Sequence, residues 1–95
     1  VLKTTLNAAL EALGKHLAKE LAPRRVNVIS PGVTATEAYA GMPEEARQAM
    51  FARTAASLPV GRVGQPDDIA AAFILAMENV FISGSLIDVD GGGLL

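Results

Sequence analysis

The sequence predicts an α/β fold, one part of a layered structure with parallel strands. Residues 26 to 30 and 85 to 89 are short apolar runs of strand length. Helical patterns lie between them and supply the right-handed crossover that parallel pairing requires. Two strands are too few for a finished parallel sheet, whose strands need cover on both faces.

The elements follow in order. Leu2, Leu6, Leu10, Leu13, Leu17 and Leu21 recur at spacings of three and four, so they share one face of a first helix. Ala8, Ala9 and Ala12 give a second, smooth face that another helix can approach closely. Glu11 and Lys15 lie one turn apart and attract. Pro23 stops this helix. Residues 25 to 30 are rich in β-branched types and read as a buried strand, turned by Pro31-Gly32. Gly41-Met42-Pro43 is a break, with Pro43 suited to the first turn of a helix that runs to about Ser57. Pro59, Gly61 and Gly64 mark a loop. Pro66 opens the next helix, with Asp67 and Asp68 at its positive end. Every residue from Ile69 to Met77 is apolar, the pattern of a helix buried on several sides. Residues 85 to 89 form the last strand, ended by Gly91-Gly92-Gly93.

Composition excludes several classes. The chain has 95 residues, enough for at most one small domain. At 51% hydrophobic it is not a disordered segment. A net charge of -2 gives no electrostatic footprint for nucleic acid or an anionic membrane. No stretch reaches the ~20 apolar residues that span a bilayer. Cysteine is absent, which removes disulfides and thiolate metal sites; no metal is expected, and a cytoplasmic location is. The first residues lack a signal-peptide pattern and an initiator Met, and open straight into a helix as though cut from a longer chain.

Four segments, in order, carry a resemblance. Ala8-Ala9-Leu10-Glu11-Ala12-Leu13, Arg25-Val26-Asn27 with Pro31-Gly32, Gly61 to Ala70, and Asp88-Val89-Asp90-Gly91-Gly92 resemble the C-terminal part of a short-chain dehydrogenase/reductase. The resemblance implies the C-terminal portion of a doubly wound parallel Rossmann-like sheet. It implies NAD(H) or NADP(H) as cofactor, and hydride transfer to or from a carbonyl or alcohol carbon. Pro31 and Gly32 would bend the chain beneath the nicotinamide, and the backbone of Val33 would bond its carboxamide. Thr36 would reach the diphosphate, with Thr34 assisting. Residues 37 to 58 would form the substrate loop, where Tyr39, Met42, Met50 and Phe51 line a pocket or simply pack. A plainer alternative makes Pro31-Gly32 a tight turn and Thr36 an N-cap.

The chain departs from the family where its proton chemistry lies. The family tyrosine and the lysine four residues later fall on Lys3 and Asn7. The catalytic serine and Gly-rich phosphate loop would precede residue 1. Lys3 is a candidate catalytic residue, as the family lysine displaced by one turn and set near the leucine stripe; the alternative is a solvated terminal lysine. Asn7 reads as a cofactor contact or a polar helix edge, and His16 as a surface or interface residue. Asp88 and Asp90 are read as facing opposite sides of the last strand. The readings are an oxidoreductase as part of a longer chain, a degenerate nucleotide-binding member, or an oligomer-building piece. The expected partners are a small carbonyl or alcohol substrate, the rest of a parent chain, and further copies.

Overall fold

The computed structural model describes residues 2–95. Its elements are α1 (Leu2–Glu20), β1 (Val28–Pro31), a 3-10 turn (Glu37–Tyr39), α2 (Glu44–Ser57), α3 (Pro66–Glu78) and β2 (Leu86–Val89). β1 and β2 pair in parallel, with Val28 opposite Leu86 and Pro31 opposite Val89. The predicted strand pairing is therefore present, and the crossover carries α2 and α3.

Successive strand residues point to opposite faces, and the helices divide accordingly. α1 lies over Val28 and Ser30: an added Cβ on Gly14 would come within 2.9 Å of Val28 Cγ2, and Asn7 bonds to Ser30. α3 lies over Ile29, which shares a cavity wall with Phe73, Ala76 and Met77. The result is an α/β/α sandwich two strands wide.

Gly14 is the buried residue of α1, while Leu2, Leu6, Leu10 and Leu13 point to solvent. Close approach of a helix to a strand selects a small residue, so Gly14 and not the leucine stripe marks the sheet-facing side. α3 buries Ala72 and Ala76 and leaves Phe73, Ile74, Leu75 and Met77 exposed. No large side chain is fully buried among the described residues. The surface is 6649 Å², against roughly 5,200 Å² for a self-sufficient folded chain of this mass. The radius of gyration is 15.4 Å, against about 12 Å for a compact domain of this length. The apolar excess anticipated from the sequence is thus left uncovered.

Three local features were not visible in the sequence. Arg25 closes α3 from outside: Nη1 donates to the carbonyls of Ala76 at 2.6 Å and Ile82 at 3.0 Å, and Nη2 to Met77 at 3.0 Å. These include carbonyls of a helix end that have no partner within the helix, and a cation suits that negative end. Lys15 does not pair with Glu11; its Nζ donates to the Gly84 carbonyl at 2.9 Å. Pro43 stands at the N-cap of α2, one place ahead of the first turn.

The start of α3 follows its sequence signals. Pro66 stands in its first turn, and Asp68 accepts from the Gln65 backbone N–H at 2.8 Å in a capping box. Arg62 makes a two-point contact with the same carboxylate at 2.8 and 3.1 Å. The Arg62 hydrogen bond, then the Gln65 N–H, holds the Asp68 carboxyl down to about 2.

Candidate functional site

Because the two strands are parallel, their C-terminal ends lie side by side. Open α/β sheets bind ligands outside those ends. Here Pro31-Gly32-Val33 leaves β1 beside Asp90-Gly91-Gly92 leaving β2. The Gly32 N–H donates to the Val89 carbonyl at 2.9 Å. A Cβ on Gly32 would fall 2.7 Å from Asp90 Cα, so glycine is what lets the two strand exits touch. That packing alone accounts for Gly32.

Beyond the turn, the chain is pinned to the loop before α3. The Gly64 N–H donates to the Val33 carbonyl at 2.9 Å, and the Ala35 N–H to the Gly64 carbonyl at 2.8 Å. Thr34 is buried at 7% exposure, and its hydroxyl donates to the Gly32 carbonyl at 3.0 Å. The Val33 N–H donates to no described group. Thr36 holds the N-cap place of the 3-10 turn, but its side chain makes no capping bond.

The Pro31-Gly32 turn is the wall shared by two cavities. One, of about 530 Å³ and mainly apolar, is lined by Pro31, Gly32, Thr34 and Thr36 with Tyr39 and Phe73. The other, of about 200 Å³, is lined by Lys3, Asn7 and Ser30 with Pro31, Gly32 and Val33, and closed by the end of α2. Four of the five expected cofactor residues therefore meet at one cavity, and Val33 and Lys3 meet at the other. Lys3 is exposed and shares that wall with Asn7, not with Leu6, Leu10 or Leu17. Asn7 is no free helix edge: it accepts from the Ser30 hydroxyl at 3.3 Å and donates to Asp88 Oδ1 at 3.1 Å.

The remaining candidates divide. The Tyr39 ring stands edge-on to Phe51, with centroids 5.4 Å apart, so the two aromatics pack the 3-10 turn on α2. His16 Nε2 lies 3.0 Å from Glu20 on the exposed side of α1. The placement of Asp88 and Asp90 on opposite sides is corrected: both line a third cavity of about 310 Å³, since residues two apart in extended chain point the same way. Asp90 Oδ1 accepts the Gly92 N–H at 3.0 Å and shapes the turn. Among the described residues, no helix is long and apolar enough to cross a membrane, and no group of three or more acidic or histidine side chains is arranged to hold a metal ion.

Comparison with known proteins places these features. The family described as Enoyl-(Acyl carrier protein) reductase matches residues 4–93. The Short-chain dehydrogenase/reductase ATR9 of Stachybotrys chlorohalonatus is 42% identical over 87 residues, covering 92% of this chain and 34% of the relative. Carbonyl reductase family member 4 of Danio rerio is 39% identical, covering 90% of this chain and 34% of the relative. A crystal structure of a small-chain dehydrogenase in complex with NADPH superposes with a TM-score of 0.84 at 58% identity, covering 97% of this chain and 42% of that one. The chain thus spans about a third of the length of the curated relatives it matches.

Proposed function

The chain belongs to the short-chain dehydrogenase/reductase family, and from that premise we propose that it forms the nicotinamide-side and substrate-loop part of an NAD(P)-dependent oxidoreductase domain. Residues 1 to 95 make up the C-terminal part of that single domain, with residues 37 to 58 as its substrate loop. The reaction is hydride transfer between the nicotinamide of NAD or NADP and the carbon of a carbonyl or alcohol substrate. The reading is carried by one observation: Pro31-Gly32, at the paired C-terminal ends of parallel strands, separates a cavity holding Thr34 and Thr36 from one holding Lys3 and Asn7.

Each residue has a chemical task in this reading. The unpaired N–H of Val33 bonds the carboxamide and fixes which ring face is presented. Thr36, whose hydroxyl caps nothing, bonds a diphosphate oxygen. Thr34 already bonds Gly32, so its role is to hold the turn rather than to reach the ligand. Lys3 brings a positive charge to the second cavity and steadies a substrate or ribose oxygen. It does not take the place of a phenol as proton donor in this reading.

A second reading is favoured by the same two positions. With Lys3 and Asn7 where the family has tyrosine and lysine, the segment suits a nucleotide-binding member that transfers no hydride. Titrating a ¹⁵N-labelled longer chain that contains these residues with NADPH or NADH tests the shared core of both. The amide signals of Val33, Thr34 and Thr36 should shift together, and those of His16 to Glu20, at the far end of α1, should not. No shift at Val33 would remove the cofactor assignment. Turnover with a panel of ketones separates the two readings in any longer chain containing this one; the 95 residues alone should show none.

A further inference from the structure

A hydrogen-bond chain that the cofactor assignment does not use runs from the wall of the Lys3 cavity to Asp88, which lines the third cavity. Asn7 is half-buried on α1, above Ser30 and Asp88, which are register partners on β1 and β2. The Ser30 hydroxyl donates to Asn7 Oδ1, and Asn7 Nδ2 donates to Asp88 Oδ1. One side chain therefore spans both strands, one residue before Pro31 and Val89. Only a group that accepts on one side and donates on the other can do this. A lysine ammonium has donors only and cannot accept from Ser30. Lys3 lies one turn earlier on the same helix, lines the same cavity, and has no partner among the described residues.

We propose that Asn7 is a positioning residue: it locks α1 across the two strand ends and so sets where the Lys3 ammonium meets the ribose hydroxyls of a nicotinamide nucleotide. The inference rests on the nucleotide reading above. Lys3 supplies the charge, and Asn7 supplies the hydrogen bonds that aim it.

The test is an exchange of donor and acceptor. Asn7→Asp sets a second carboxylate against Asp88, which breaks the lock near about pH 8. The charged groups near that pair are Lys3 and, one turn on, Glu11 from α1, Asp90 from the exit of β2, and Arg62 and Asp68, which share the cavity of Asp88 at the entry to α3. β1 and α2 present only the neutral Ser30, Thr54 and Ser57 there. The double variant Asn7→Asp/Asp88→Asn restores one donor and one acceptor in exchanged order.

NADPH affinity is read by calorimetric titration of a longer chain containing these 95 residues, since they are not expected to fold by themselves, with thermal melting of each variant alongside. Near about pH 8, Asn7→Asp should bind NADPH about tenfold more weakly, and the exchanged pair should return to within about twofold of wild type. Lys3→Met should also lose about tenfold, and adding Asn7→Asp to it should cost little more, because the two act as one unit. Wild-type binding with an indifferent Asn7→Asp, a failed exchange, or full additivity with Lys3→Met would overturn the proposal alone. A wild-type chain that takes up neither NADPH nor NADH overturns the nucleotide reading and this inference with it. In that case the melting of the exchanged pair shows separately whether the lock exists.

Discussion

Gly32 and Gly14 are both glycines of close approach, but they differ in what they approach. At Gly32 the obstacle is the backbone of Asp90, 2.7 Å from an added Cβ; at Gly14 it is one methyl of Val28, 2.9 Å away. Backbone cannot rotate aside, whereas a side chain can shift with its helix. Gly32→Ala should therefore cost about 1–3 kcal/mol, as for other overpacked sites. Gly14→Ala should cost less, because a helix interior gains about 1 kcal/mol from glycine to alanine. Paired thermal melts of the two variants, made like the other stability measurements here in a longer chain containing these residues, check the order; equal losses would contradict it. Asp68 gives a second prediction at this scale. Its carboxyl is held at about 2 in the fold against 3.8 for the ordinary group, chiefly by Arg62. A depressed carboxyl stabilises above its unfolded value and loses that contribution as pH falls through its folded one. The stability difference between wild type and Asp68→Asn should thus be flat above about pH 5 and shrink toward pH 2. Urea midpoints of both proteins across that range would measure it.

The end of α3 is held by Arg25 rather than by its own sequence. Its cap residue Asn79 is extended, there is no basic residue in the last turn, and the guanidinium does the work from 51 residues away. Arg25→Met keeps the stem but removes every donor. It should destabilise by about 2–3 kcal/mol, the range for hydrogen bonds to a charged group. Hydrogen exchange should accelerate first in residues 76 to 82, where the carbonyls lose their partner. Arg25→Lys should recover only part, since one ammonium cannot fork to several carbonyls. Uniform acceleration along α1 and α3 would instead show that Arg25 matters only to global stability.

For the molecule as a whole, the decisive quantity is uncovered apolar surface. The chain exposes roughly 1,400 Å² more than a self-sufficient fold of its mass. Phe81 is 98% exposed and Leu2 73%, and a large apolar side chain left in water forgoes roughly 1.5–3 kcal/mol. A few such losses match the whole net stability of a small domain, about 5–15 kcal/mol. The 95 residues on their own should therefore self-associate or bind an apolar dye, and melt without a sharp transition. Sedimentation velocity and melting decide this; a cooperative monomer would refute it.

What the sequence determined is what is local. Leucine spacing and Pro23 bound α1, Gly61 to Asp68 marked the entry to α3, and two short β-branched or apolar runs gave the strands and their parallel pairing. The Pro31-Gly32 turn and the threonines after it were legible for the same reason, since turn chemistry resides in neighbouring residues. Tertiary structure decided the rest. Periodicity located a leucine face on α1 but could not say which face meets the sheet; the need for close approach chose Gly14. The sequence left Asn7 between a cofactor contact and a helix edge because its partner Asp88 lies 81 residues away. Lys3, Asn7 and Pro31-Gly32 come to one cavity only because the parallel strands bring their C-terminal ends together under α1. Local propensity records how each segment winds, whereas a site assembled from distant segments exists only once the layers have packed.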